Sequence, residues 1–74
     1  MTTTLAKKQA HGSVYTLWTV GEVSCVTRQV INKKTGIPWQ AIHYLARFEG
    51  DLHGMKALRA FNIAVKTGQK TRPS

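Results

Sequence analysis

Val26 to Phe48 reads VTRQVINKKTGIPWQAIHYLARF, and the expected fold turns on this stretch. Lys33-Lys34-Thr35-Gly36 has the form of a helix end: cations suit the negative end of the helix dipole, and Gly36 accepts the left-handed conformation that stops a helix. Pro38 then fits the first turn of a following helix, where its missing N–H costs nothing. Ahead of the turn, Val20, Val23, Val26, Val30 and Ile31 recur at helical spacing, and Thr19-Val20-Gly21-Glu22 matches a capping box. Beyond it, Ala41, Ile42, Leu45, Ala46 and Phe48 form an apolar stripe, which leaves Trp39, Gln40, His43, Tyr44 and Arg47 on the opposite side. The stretch predicts two short helices joined by a glycine turn, with Ile42 and Leu45 buried between helices.

Working outward, Val14 to Trp18 (VYTLW) is dense in β-branched and aromatic residues and predicts a short strand. On the other side, Met55, Leu58, Phe61, Ile63 and Val65 mark a third helix whose outer positions are Lys56, Arg59 and Asn62, with Gly68 and Pro73 after it. Met1 to Ser13 holds Leu5 as its one large apolar residue after the first methionine, and Gly68 to Ser74 holds none. The expected fold is therefore mainly α: a short N-terminal strand, three short helices and disordered basic tails. The expected organisation is a flexible tail over 1–13, a single small helical domain over 14–66 and a flexible basic tail over 67–74.

Eleven Lys and Arg stand against three Asp and Glu among 74 residues, a formal charge of +8. Nine of the cations lie from Arg28 onward, against Glu49 and Asp51 alone, so the C-terminal part points at polyanions or acidic protein surface. Cys25 is the single cysteine, which rules out an intrachain disulfide and the four-ligand cysteine sites of structural zinc. A reducing compartment, the cytoplasm (the host's, if the chain is phage-encoded), is expected. No apolar run has the length of a membrane span, and the N-terminus has no signal-peptide core.

The spacing Ile31, Gly36, Ile37, Ile42, Leu45 resembles the helix-turn-helix element of small DNA-binding regulators. That resemblance implies a second helix lying in the major groove, with Trp39, Gln40, His43, Tyr44 and Arg47 facing the bases. Gln40 would then read adenine, and Arg47 guanine or phosphate. The order strand, helix, turn, helix is also similar to the ribbon-helix-helix repressors, although Val14 to Trp18 carries no Lys, Arg, Asn or Gln to read DNA. As a class of chain, a very small, strongly basic protein with exposed aromatics resembles the phage-encoded proteins that bind host RNA polymerase. Some of these inhibit initiation, and some act in antitermination.

Catalysis has no motif behind it: one cysteine, three scattered carboxylates and no glycine-rich phosphate loop assemble no acid–base or nucleophile system. His11, His43 and His53 are irregularly spaced and predict no metal site, and no cofactor is expected. The expected function is a non-enzymatic transcription regulator of phage type that binds RNA polymerase, with a helix-turn-helix or excisionase-like DNA-binding protein as the alternative. No membrane and no small-molecule substrate is expected. The expected contact residues are Lys33, Lys34, Trp39, Gln40, His43, Tyr44, Arg47, Lys56 and Arg59. Trp39, Tyr44 and Arg47 are of the types that most often anchor protein interfaces.

Overall fold

The computed structural model describes residues Thr2–Gly68, and in it the Val26–Phe48 stretch is a bent β-hairpin. The elements are β1 (Thr2–Ala10), β2 (Ser13–Val20), β3 (Val23–Val30), β4 (His43–Glu49) and one helix, α1 (His53–Thr67). The four strands make a single antiparallel sheet in the order β1-β2-β3-β4. The mainly helical expectation is thereby corrected. Only the last of the three expected helices exists among the described residues, and the expected strand lies inside β2.

The valines spaced like a helix stripe belong to two strands. Val20 and Val23 face each other across Gly21–Glu22, and Val26 pairs with Leu17. Gly21 at φ +59° occupies the first position of that two-residue turn, the signature of type II′. At the other end of β2, His11 and Gly12 both take positive φ, the signature of type I′. Turns of these two kinds match the right-handed twist of paired strands, so the chain folds back on itself tightly. Thr19 does not cap a helix; its hydroxyl donates to the Val23 carbonyl at 2.8 Å. Valine and threonine favour the pleated, half-buried surface over a helix, and here that preference wins over the accidental periodicity.

The expected flexible segment at 1–13 is likewise corrected. Thr2–Ala10 forms an edge strand, paired to β2 from Thr2↔Val20 to Ala10↔Ser13 with one irregularity between Thr4 and Ala6. Backbone pairing holds this segment, which is why its poverty in core residues misleads. Of the expected tail at 67–74, Thr67 ends α1 and Gly68 closes it at φ +70°, its N–H donating to the Ala64 carbonyl at 2.8 Å. Gln69–Ser74 lie outside the described residues.

Between β3 and β4 the ladder runs on as a short arm. Asn32 N–H donates to the Ile37 carbonyl at 3.0 Å and Trp39 N–H to the Val30 carbonyl at 2.8 Å. Ile31 and Pro38 face each other between those two bonds, at a position where proline is asked for no donor. The tip is Lys33 to Gly36: Asn32 Oδ1 accepts from Lys34 N–H at 2.9 Å, and Gly36, at φ +74°, donates its N–H to the Asn32 carbonyl at 2.7 Å. A register shift opposite Val26/Thr27 sets Leu45 as an extra residue in β4, and both Leu45 and Ala46 pack against the core.

Helix α1 lies across one face of the sheet. Tyr15, Leu17 and Val26 meet Ala57, Phe61 and Ala64, all nearly or wholly buried. The two alanines let the helix backbone come close, and Phe61 fills the space between them. The result is a two-layer slab with extents of 41 × 31 × 16 Å. Ile42, expected inside, is half exposed in the connection before β4, and Leu45 is half-buried.

Candidate nucleic-acid interface

Alternation along the strands sends every second side chain to the sheet face that α1 leaves open. Antiparallel pairing arranges those residues in rows across the strands. One row is Thr4, Trp18, Cys25 and Arg47; the next is Lys7, Thr16, Thr27 and Tyr44. Gln9, Val14 and Gln29 form a third. Trp18 and Tyr44 meet edge to face, with ring centroids 6.1 Å apart and planes at 70°. Val14, Cys25 and Thr27 are buried at the base of this surface, whereas Lys7, Gln9, Tyr44 and Arg47 stand exposed on it.

The charges are available to a partner. Arg47 makes an ion pair with Glu49 at 2.9 Å, but both side chains are more than 60% exposed, so solvent screens the pair. Burial pushes the Cys25 thiol up, and the Arg47 guanidinium above it partly opposes that shift. Cys25 is thus a neutral floor to the surface and carries no reactive thiolate. Gln29 Nε2 donates to the Trp39 carbonyl at 2.9 Å and ties the root of the basic arm to the open face.

The expected contact residues fall into two groups. Tyr44 and Arg47 lie on the open face. Lys33 and Lys34 are exposed at the tip of the arm, Trp39 and Gln40 at its root, and His43 is exposed at the start of β4 opposite Arg28. Lys56 and Arg59 are elsewhere: they project from α1, on the covered side of the sheet, beside a groove lined by Phe48, Leu52, Met55 and Ile63. No recognition helix presents Trp39 to Arg47, because strand and loop occupy that stretch. Sequence reasoning missed Thr4, Lys7, Gln9, Thr16, Trp18, Thr27 and Gln29. The signal that finds them is the pair of two-residue glycine turns at His11-Gly12 and Gly21-Glu22, which set three strands in register.

A second polar cluster sits beneath the start of α1. His53 Nδ1 and Ser24 Oγ lie 2.5 Å apart, and Ser24 Oγ donates to Thr19 Oγ1 at 3.3 Å. Ser24 is wholly buried and no carboxylate joins the pair, so the cluster anchors the helix and gives no accessible nucleophile. At the opposite end, His11 Nε2 contacts the Val65 carbonyl at 2.9 Å and pins the last turn of α1. Among the described residues no three His, Cys, Asp or Glu side chains converge as a metal site, and no helix is long and apolar enough to cross a membrane. No protein-family model matches this chain, and no curated protein or solved structure is similar to it.

Proposed function

We propose that this protein binds duplex nucleic acid, laying the open face of its sheet and the Lys33–Lys34 arm against the polymer. One observation carries the reading. In a chain of net charge +8, the face that α1 leaves uncovered offers hydrogen-bonding side chains in regular rows, with Lys7 and Arg47 among them. Threonine, glutamine and arginine are suited to base edges and phosphates, and strands enter a major groove as readily as a helix does. A duplex is favoured over a single strand because Trp18 is engaged edge-on with Tyr44, which leaves fewer free ring faces for stacking unpaired bases. The DNA-binding expectation thus moves from a helix to a sheet. Regulation of transcription at a host RNA polymerase, the reading implied by the resemblance to phage-encoded polymerase-binding proteins, requires a protein-facing surface as well; the groove beside α1 supports it.

Fluorescence anisotropy with a random-sequence duplex and a single-stranded oligonucleotide, each at low and moderate salt, tests the proposal. Duplex affinity is expected to fall steeply with salt, since each neutralised phosphate releases counterions. Tyr44→Ala and Arg47→Ala are expected to weaken binding, with both variants shown to remain folded. Absence of duplex binding at low salt would overturn the reading.

A further inference from the structure

We infer that the groove between α1 and the outer edge of β4 receives an acidic, extended segment of a protein partner, added to the sheet as a fifth strand. The groove has a volume of about 450 Å³ and is lined by Phe48, Leu52, Met55, Ala60 and Ile63, with Lys56 and Arg59 on its walls. Leu52 is 62% exposed, Met55 68% and Ile63 48%, although all three lie in or next to a helix that already buries another face. Large apolar side chains left exposed around one groove offer a partner a surface to bury.

The two edges of the sheet differ. β1 carries Lys7, Lys8 and a register irregularity, the usual devices that keep an edge from pairing. In β4 the irregularity is confined to Leu45, and beside Ala46–Glu49 no further strand lies among the described residues. Its regular half, Ala46–Glu49, borders the groove through Phe48. An added strand would take main-chain hydrogen bonds there and lower alternate side chains into the groove.

Charge selects the occupant. Lys56 and Arg59 have no ion-pair partner among the described residues, and no Asp or Glu lines the groove. A second copy would set the same two cations against an equally basic surface, from a chain holding only Glu22, Glu49 and Asp51 as acids. The remaining sequence, Gln69–Ser74 (QKTRPS), is basic and has no large apolar side chain to fill the groove. Nucleic acid would satisfy the cations but leave Leu52, Met55 and Ile63 against a polyanion. An acidic segment with alternating large apolar residues meets both requirements.

The test uses the full chain and a fluorescein-labelled synthetic peptide about nine residues long, a strand's length, alternating glutamate with valine or phenylalanine. Two control peptides replace the glutamates by lysine or the apolar residues by serine. The acidic apolar peptide is expected to bind and to shift the amide resonances of Ala46–Glu49 and α1, while both controls bind at least about tenfold more weakly. The double variant Lys56→Glu, Arg59→Glu should lose about tenfold or more in peptide affinity and keep its thermal midpoint. Met55→Ser, on the exposed side of the helix, should weaken the same peptide. Equal binding of the lysine peptide, resonance shifts confined to the open sheet face, or displacement by a duplex from the groove would each overturn the inference. So would self-association of the free chain in sedimentation, since a second copy would then be the occupant. The outcome is independent of the duplex-binding reading, which Tyr44→Ala and Arg47→Ala address on the other face.

Discussion

Tyr15 is the largest side chain wholly buried in the core, and its hydroxyl has no hydrogen-bond partner among the described residues. A buried polar group left unpaired costs about 1–3 kcal/mol, so Tyr15→Phe should raise stability by about 1 kcal/mol while keeping the ring that packs on α1. Urea denaturation checks it; a lower midpoint would show that the hydroxyl is satisfied in solution. Cys25 gives a second prediction at this scale. Its thiol is held neutral by burial, with the folded pKa raised above the unfolded value. The associated stabilisation is whole below the ordinary thiol range and is lost as pH rises through the raised folded value. Iodoacetamide should therefore alkylate Cys25 far more slowly in the native chain than in urea. Urea midpoints should fall more steeply on the alkaline side for the wild type than for Cys25→Ala.

At the scale of elements, the arm and the bulge carry the sharpest expectations. Gly36 sits at φ +74° with open space where a Cβ would go, so Gly36→Ala meets no clash and the cost is the backbone conformation alone. About 1 kcal/mol of destabilisation is expected, with the sheet intact by circular dichroism. Leu45 is the extra residue of β4 and is only half-buried, so Leu45→Ala should cost less than the ~2–5 kcal/mol typical of a buried leucine. Phe61→Ala, which removes the ring from the centre of the sheet–helix contact, should cost about 3–5 kcal/mol. Thermal melts of the two variants rank them. The opposite order would place the core on β4 instead of beneath α1.

For the whole molecule, the proposed duplex-binding face and the proposed peptide groove lie on different sides of the slab, so substitutions should separate them. Lys7→Ala on the open face should reduce the slope of log affinity against log salt for duplex binding by about 1, whereas Lys56→Glu on the helix should leave that slope nearly unchanged. Anisotropy titrations at several salt concentrations measure both. The sequence by itself determined the charge and its bias, the strand around Val14–Trp18, the helix through Phe61 and its end near Gly68, and the left-handed Gly36. Each of these is written in neighbouring residues: a run of β-branched and aromatic side chains, a helical apolar period, a glycine where only glycine rests easily. The inward face of that helix was not legible: Ala57, Phe61 and Ala64 are buried, whereas Met55, Leu58 and Ile63 of the expected stripe are exposed. The placement of Val20–Ile31 and Ile37–Phe48 was not legible in that way. Thr19–Glu22 satisfies a helix cap as well as Val20–Val23 satisfies a two-residue hairpin, and the valines match a 3.6-residue period by coincidence. Tertiary structure decided between them, because Val26 finds Leu17 across the Gly21 turn on one side and Ala46, distant along the chain, on the other. A strand is stabilised by hydrogen bonds and side-chain pairs to other segments, so its evidence is nonlocal, and with it goes the face on which Tyr44 and Arg47 come to stand.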